Sequence, residues 1–357
     1  MRRSIENLIP YNPGKSLEEL ERELGKPVIK LSANESLWGP SPKVEEYLRG
    51  IFNNLMYYPD GAVTELKTTL ASYWKLHTNN FCVGNGTDEI ISLLFAAYLN
   101  PGDEVIVPLP TFSSYELSAT VYDAKIKFIK QEDLVFNLSE IEKQMNKKTK
   151  MVFLCNPNNP TGTYFTHKEL EAFLELVSSE TLVILDEAYC HYSTTPDFPC
   201  AKEILKKYNN VIVLRTFSKV YALAALRVGY GVASSHIIGE LEKVRSPFNV
   251  NSMAQVAAKI ALEDENYTNK IIKETVKERE WLTKELKAMG LIVLPSQSNF
   301  VMVKITNAQL IADKLLNEGI LVRNMSSFDL PEWLRISVAP HKYMQQLIAC
   351  FKEIIEQ

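Results

Sequence analysis

The chain has 357 residues, of which 46% are hydrophobic and 23% are charged, a composition typical of a folded globular protein. This length exceeds what a single hydrophobic core usually serves, so we expect a large domain and a smaller one. The formal net charge of -4 gives no general attraction to nucleic acid or to anionic lipid, and we expect neither as a partner.

Targeting and redox signals favour the cytoplasm. The basic N-terminal residues are not followed by the apolar stretch of a secretory signal, and no apolar run is long enough to span a bilayer. The cysteines are odd in number, lie far apart and form no Cys-x-x-Cys pair, which argues against a disulfide framework or a zinc site. The five histidines are scattered, so we expect no bound metal.

The first part of the chain combines an arm with a helix. Two prolines interrupt residues 8–14, which predicts an extended arm rather than a core element. Helical periodicity follows over residues 16–24, and Gly25 stands where a helix C-terminus favours glycine.

From about residue 66 onward, predicted helices and strands alternate. A helix is expected over residues 90–99. Short apolar runs, several of them rich in β-branched residues, predict strands over residues 104–107, 125–129, 151–154, 182–185 and 211–214. Apolar strands separated by helices indicate a parallel sheet covered on both faces. Ligands of such sheets bind at the carboxyl ends of the strands.

The pattern changes after about Pro247. A long helical stretch over residues 252–287 precedes strands at 293–294, 300–303, 320–323 and 334–338, with a helix before residue 319 and another at the C-terminus. We expect an arm and part of the small domain in residues 1–35, the large domain in residues 36–250 and the small C-terminal α+β domain in residues 251–357.

Polar residues follow three of the predicted strands. Asn156, Asp186 and the pair Ser218-Lys219 each come directly after a buried run, and Gly86 precedes a helix. Each has an ordinary alternative: a proline-rich turn for the asparagine, a helix cap for the aspartate, and a solvated loop for the lysine. Their convergence on one edge of a parallel sheet predicts a common site.

The order and spacing of these residues resemble the fold-type I aminotransferases and, among them, the histidinol-phosphate aminotransferases. The resemblance covers essentially the whole chain and is carried by residues 8–16, 31–35, 57–60, 319–323 and 334–338. It departs from the family at Trp38, Gly61 and Ala225, none of which belongs to the expected chemical core. It implies an α/β fold with a mostly parallel seven-stranded sheet between helices, a smaller α+β domain, pyridoxal 5'-phosphate as cofactor, and a homodimer.

The resemblance also assigns catalytic roles. Lys219 would hold the cofactor as a Schiff base and act as general acid and base. Asp186 would face the pyridine nitrogen, because a nearby anion keeps that nitrogen protonated. Asn156 and Tyr189 would bond the ring 3-oxygen, and Phe112 would stack on the ring, unless it is simply a core residue.

Anion binding is assigned to two further sets. The cofactor phosphate would be held by Gly86, Thr87, Asp88, Thr216, Ser218 and Arg227, with Tyr58 reaching it from the neighbouring subunit. The substrate would be bound by Tyr11, Asn156, Arg323 and Arg335. Arg335 would grip the α-carboxylate of glutamate and, with Arg323 and Tyr11, the substrate phosphate. A surface ion pair is the alternative for Arg323.

The implied reaction interconverts histidinol phosphate and 2-oxoglutarate with imidazole-acetol phosphate and glutamate, a step of histidine biosynthesis. Two alternatives keep the fold: an aromatic amino acid aminotransferase and a threonine-phosphate decarboxylase-like enzyme. A cofactor-binding regulator is the non-enzymatic alternative, and the chain has neither spare length nor a basic segment for a DNA-binding domain.

Overall fold

The computed structural model describes residues 3–6, 8, 14–50 and 55–356. Most of the expected arm, including Tyr11, lies outside the described residues. The helices are α1 (Leu17–Leu24), α2 (Pro42–Gly50), α3 (Thr64–Trp74), α4 (Thr87–Tyr98), α5 (Ser114–Val121), α6 (Leu138–Lys143), α7 (His167–Leu176), α8 (Ala201–Lys207), α9 (Ser235–Val244), α10 (Ser252–Glu263), α11 (Glu265–Ala288), α12 (Ala308–Asn317) and α13 (His341–Glu356).

The strands form three sheets. They are β1 (Ile29–Lys30), β2 (Phe81–Gly84), β3 (Glu104–Leu109), β4 (Lys125–Lys130), β5 (Thr149–Cys155), β6 (Leu182–Asp186), β7 (Val211–Thr216), β8 (Gly229–Ala233), β9 (Ile292–Val293), β10 (Phe300–Lys304), β11 (Ile320–Leu321), β12 (Arg323–Asn324) and β13 (Trp333–Ser337). The largest sheet has seven strands in the order β2-β8-β7-β6-β5-β3-β4.

This large sheet is mostly parallel, which confirms the expected fold class. Strands β3 to β7 run parallel to one another, whereas β8 is antiparallel to both β2 and β7. β6 is buried throughout, and β5 and β7 are buried except at Lys150 and Arg215, as expected of strands covered on both faces. The register pairs Cys155 with Asp186 and Asp186 with Leu214, so these strands end at one edge.

A second core is built around a four-stranded antiparallel sheet, in the order β12-β13-β10-β9. Two predicted elements are divided here. The long helix breaks at Asp264, whose carboxylate accepts hydrogen bonds from Ser41 and Lys43, and the strand expected over residues 320–323 is split into β11 and β12. β11 pairs in parallel with β1, and Leu31 packs in this core, so the N-terminal segment joins the C-terminal module.

The first core extends past residue 250. Helix α10 buries a face of small residues in it, made of Ala254, Ala257, Ala258, Ala261 and Leu262. Small side chains permit the close approach of α10 to α3 and α2, which it contacts. The large core therefore includes a helix on the far side of the expected boundary, and the division at residues 35 and 250 stays a prediction.

All five cysteines are free thiols. In the described ranges, none of the helices combines the length and the apolar character needed to traverse a bilayer. The described part of the chain also contains no group of three or more His, Cys, Asp or Glu side chains arranged to hold a metal ion.

Candidate active site

Lys219 lies just beyond the end of β7, where the buried Phe217 fixes the start of the loop. Its Nζ donates a hydrogen bond to the carbonyl oxygen of Ala33 at 3.1 Å and lies 5.6 Å from the centre of the Tyr189 ring. Burial and, next to it, the positive charge of Arg335 lower the pKa of this amine to about 8. A useful fraction of Lys219 is therefore neutral and nucleophilic near neutral pH.

Asp186 is the last residue of β6 and is only 3% exposed. Burial raises its pKa to about 6, and two hydrogen bonds to the carboxylate oppose this rise. Tyr115 Oη donates to Oδ2 at 2.6 Å, and the Ala188 backbone N–H donates to Oδ1 at 3.1 Å. A buried, partly stabilised carboxylate of this kind is suited to pair with a cationic ring nitrogen.

Tyr189 follows in the turn after β6 and is 4% exposed. Its ring packs edge-on against Phe300 with the centroids 5.2 Å apart. Burial raises the pKa of its hydroxyl far above the ordinary value, so Tyr189 remains a neutral phenol that can donate a hydrogen bond. The Asn34 Nδ2 donates to its Oη at 3.1 Å.

The first turn of α4 and the loop after β7 together form a polar cradle. Arg227 Nη2 bonds Asp88 Oδ2 at 3.2 Å, and Arg227 Nη1 bonds Ser218 Oγ at 3.4 Å. Gly86 precedes α4 with φ 79°, and a Cβ there would lie 2.6 Å from Arg227 Nη2. Thr87 is the first residue of α4, so its N–H belongs to the helix start, which attracts anions.

Thr216 and Ser218 complete the lysine side of this cradle. Both are buried, and the Ser218 N–H donates to Thr216 Oγ1 at 3.0 Å. Cationic guanidinium, hydroxyls and helix N–H groups are the donors that a phosphate monoester needs. Together with an amine of lowered pKa and a buried carboxylate, this cradle fits pyridoxal 5'-phosphate.

The structure corrects the role expected for Asn156. Its side chain is fully buried and clamps the backbone of Phe165: Nδ2 donates to the carbonyl oxygen, and Oδ1 accepts from the N–H, both at 3.1 Å. Both polar atoms of the amide are therefore held by the Phe165 backbone. Asn159, three residues on, instead accepts a hydrogen bond from Arg335 Nη1 and is the asparagine of this loop that faces the site.

Arg335 lies in β13 and is 7% exposed. Its Nη1 is held by Asn159, its Nη2 donates to the Ser32 carbonyl oxygen at 2.9 Å, and its guanidinium lies 5.4 Å from the centre of the Phe300 ring. Burial lowers its pKa to about 10, which leaves it cationic at neutral pH. Among the described residues no carboxylate pairs with it and its Nε has no partner, so it can bind an anion.

Arg323 stands opposite Arg335 in the register of β12 and β13. It is exposed, and its Nη2 makes a long hydrogen bond of 3.5 Å to Ser327 Oγ. Within the described ranges it forms no ion pair, so the alternative of a surface salt bridge finds no partner there.

The aromatic candidates differ in position. Phe112 is half-buried and packs edge-on against Tyr115 at 5.6 Å between centroids, so it lies next to the partner of Asp186. Tyr58 is 82% exposed and stacks on Phe248 at 4.8 Å. Tyr11 lies outside the described residues.

Three residues in the site were not singled out from the sequence: Asn34, Tyr115 and Asn159. Asn34 belongs to the 31–35 segment that carries the family resemblance, which gave the one available signal. Tyr115 follows the expected stacking residue Phe112 by three positions, and its N–H donates to the Phe112 carbonyl oxygen at 3.3 Å. Asn159 was part of the same turn as Asn156.

Comparison with known proteins agrees with this geometry. The model of the family "Aminotransferase class I and II" matches residues 26–351. Histidinol-phosphate aminotransferase 2 of Carboxydothermus hydrogenoformans is 42% identical, covering 100% of this chain and 99% of the relative. Histidinol-phosphate aminotransferase of Moorella thermoacetica is 40% identical, covering 99% and 92%.

A solved structure extends the comparison to the fold. The histidinol-phosphate aminotransferase of Sinorhizobium meliloti, in complex with pyridoxal-5'-phosphate, superimposes with a TM-score of 0.92 at 28% identity, covering 100% of this chain and 97% of that one. Pyridoxal 5'-phosphate is the cofactor of this family, and the cradle, carboxylate and lysine described above fit it. The chain therefore belongs to the class I and II aminotransferases and, within them, to the histidinol-phosphate aminotransferase family.

Proposed function

We propose that this chain interconverts histidinol phosphate and 2-oxoglutarate with imidazole-acetol phosphate and glutamate, and that amino transfer from glutamate to imidazole-acetol phosphate serves histidine biosynthesis. The observation that carries the proposal is the buried Arg335 cation, which lacks a carboxylate partner in the described part of the chain and acts electrostatically on Lys219. The names of the relatives support the choice of substrate.

Lys219 is the catalytic amine of the proposal. It holds the cofactor and, once released from it, moves a proton at the substrate α-carbon. Bound pyridoxal 5'-phosphate supplies the electron sink that makes this proton acidic. The lowered pKa of Lys219, about 8, permits both the basic and the acidic half of this role near neutral pH.

Asp186 and Tyr189 tune the ring in this proposal. The Asp186 carboxylate, held by Tyr115 and the Ala188 N–H, keeps the ring nitrogen protonated. Tyr189 donates to the ring 3-oxygen, and Phe112 covers the ring face. The phosphate would be anchored by backbone N–H groups at the helix start, by two hydroxyls and by one guanidinium. These belong to Gly86, Thr87 and Asp88, to Thr216 and Ser218, and to Arg227, respectively.

Substrate binding depends on two arginines. Arg335 meets the α-carboxylate of glutamate with its planar guanidinium, which Asn159 and the Ser32 carbonyl hold in place. Histidinol phosphate has no carboxylate, and its phosphate uses the same positive region, with Arg323 supplying a second charge across the strand pair. Tyr11, from the expected arm, is proposed as a third residue that binds this phosphate.

We also propose a homodimer in which Tyr58 reaches the active site of the neighbouring subunit. Four consecutive side chains, at residues 55–58, are between 56% and 82% exposed although Leu55, Met56 and the tyrosine rings are largely apolar. Adjacent exposed apolar residues favour a protein interface. The five free thiols suit a reducing cytoplasm, which we propose as the location.

The proposal is tested by a half-reaction. Enzyme loaded with pyridoxal 5'-phosphate is mixed with histidinol phosphate, phenylalanine or threonine phosphate, and the visible absorption of the bound cofactor is followed. We expect histidinol phosphate to convert the cofactor with the highest kcat/KM. Faster conversion by phenylalanine would indicate the aromatic aminotransferase instead, and carbon dioxide release from threonine phosphate would indicate the decarboxylase.

A further inference from the structure

The 32–34 segment crosses the site and contacts three of its functional groups in succession. The Ser32 carbonyl oxygen accepts from Arg335 Nη2 at 2.9 Å, and the Ala33 carbonyl oxygen accepts from Lys219 Nζ at 3.1 Å. The next residue, Asn34, uses its side chain, and its Nδ2 donates to Tyr189 Oη at 3.1 Å. The first two contacts orient cations, whereas the third acts on a neutral phenol.

Asn34 is held rigidly in this place. It is 1% exposed, its backbone N–H donates to Ser337 Oγ at 2.8 Å, and its carbonyl oxygen accepts from Asn299 Nδ2 at 3.0 Å. The Ser337 hydroxyl also donates to Asn34 Oδ1 at 3.4 Å, at the end of the amide opposite the one that contacts Tyr189. The backbone is left-handed with φ 58°, a conformation that asparagine tolerates better than most residues.

A phenol hydroxyl has one proton to donate and two lone pairs to accept with. In the described part of the chain, the hydrogen bond of the Tyr189 hydroxyl is the one from Asn34, and Tyr189 is the acceptor in it. Because burial keeps Tyr189 protonated, its own proton remains available to a second partner. Because the Asn34 amide donates to the Tyr189 oxygen, the Tyr189 O–H proton must point away from Asn34.

We propose that Asn34 is a positioning residue that turns the Tyr189 O–H proton toward the ring 3-oxygen of bound pyridoxal 5'-phosphate. The inference rests on the role proposed for Tyr189. A hydrogen bond donated to the 3-oxygen stabilises negative charge on it and so favours loss of the proton that this oxygen shares with the Lys219 nitrogen. Asn34 therefore lowers the pH at which the visible absorption of the bound cofactor changes.

The direct test is Asn34→Asp in the full-length enzyme loaded with pyridoxal 5'-phosphate. Aspartate has nearly the same shape and accepts the left-handed backbone, but its carboxylate draws the Tyr189 proton to itself. The pH midpoint of the visible band should rise by about 1 unit, toward that of Tyr189→Phe, since a hydrogen bond to a charged group changes a pKa by this order. In a Tyr189→Phe background, Asn34→Asp should add no further shift.

Two further variants distinguish a loss of Tyr189 positioning from a general loss of rigidity in the 32–34 segment. Asn34→Gly keeps the left-handed backbone and removes the donor, so it should raise the midpoint by less than Asn34→Asp. Asn299→Ala removes a bond to the same segment without touching the Tyr189 contact, and it should leave the midpoint unchanged. A shift in Asn299→Ala equal to that in Asn34→Asp, or additive shifts in the double variant, would overturn the proposal.

The same titration distinguishes the two proposals. No substrate is present, so the result does not depend on the identity of the amino donor. A wild-type enzyme without a pH-dependent visible band that requires Lys219 would contradict the proposed function itself. A normal wild-type titration, with the midpoint raised in Tyr189→Phe but unmoved in both Asn34 variants, would overturn only the role of Asn34.

Discussion

Tyr115→Phe isolates the contribution of one hydroxyl to cofactor binding. The ring of Tyr115 is fully buried and stacks on Phe153 at 4.6 Å between centroids, and phenylalanine can keep that packing. The substitution removes the hydroxyl and with it the 2.6 Å hydrogen bond to Asp186 Oδ2. Because this bond opposes the effect of burial, we expect the pKa of Asp186 to rise above its value of about 6.

The size of the effect follows from the charge on the acceptor. A hydrogen bond to a charged group contributes about 1.5–3 kcal/mol, equivalent to about 1–2 pKa units. The pKa of Asp186 in the cofactor-free protein would then lie at about 7–8, and its ionised fraction at pH 7 would fall from about nine-tenths to between about one-half and one-tenth. Only the ionised carboxylate pairs with the ring nitrogen, so cofactor affinity at pH 7 should fall about two- to tenfold.

The pH dependence of cofactor affinity distinguishes a shifted Asp186 pKa from a loss of packing. The pKa of Asp186 in the folded protein, about 6, lies above the ordinary carboxyl pKa of 3.8. Asp186 therefore contributes stability to the cofactor-free fold below pH 3.8, and this stability is lost as the pH rises through the folded pKa. Pyridoxal 5'-phosphate binding to cofactor-free wild type and Tyr115→Phe would be measured by fluorescence from pH 6 to 9. The two affinities should converge near pH 9. A deficit that is the same at every pH would refute the reasoning, since lost packing does not titrate.

Three other substitutions have defined outcomes. Lys219→Ala should abolish both turnover and the visible absorption that depends on the amine, and retention of either would contradict its assignment. Arg335→Lys keeps the charge but loses the planar pair of donors, so KM for glutamate should rise about tenfold or more in steady-state assays while the cofactor spectrum is unchanged. Gly86→Ala places a Cβ 2.6 Å from Arg227 Nη2 and should weaken cofactor binding about tenfold or more. Gly102→Ala is the control, because Gly102 also has a positive φ, 92°, but has open space around it. This control should lower the melting temperature without weakening cofactor binding.

The large sheet was mostly predictable because its central strands are continuous apolar runs. β5, β6 and β7 extend only one or two residues beyond their predicted ends. β2 and β8 were not identified. β8 contains Gly229 and Gly231, which weaken any strand signal, and β2 is only four residues long.

The site was predictable where position along a strand decides the role. Lys219 and Asp186 follow strands whose common edge is fixed by the parallel register. The position of a residue at the end of a strand predicts that it lies at the site edge of the sheet, but not the direction of its side chain. The sequence therefore singled out Asn156, which directly follows β5, and not Asn159. Asn34 and Tyr115 act through partners 155 and 71 residues away, and no local pattern encodes such contacts.

Strand β8 links the integrity of the sheet to the cofactor. Gly229 is the register partner of Gly84 on one side and Thr216 on the other, so a single residue ties together the two halves of the phosphate cradle. A ligand that bridges both halves binds only when the edge strand β2 and its neighbour β8 are paired in the sheet. Its binding therefore opposes local unfolding of these strands by mass action. Loss of the cofactor removes this stabilisation, so we expect β2 and α4 to open more often in cofactor-depleted molecules and to be cleaved there more readily by a protease.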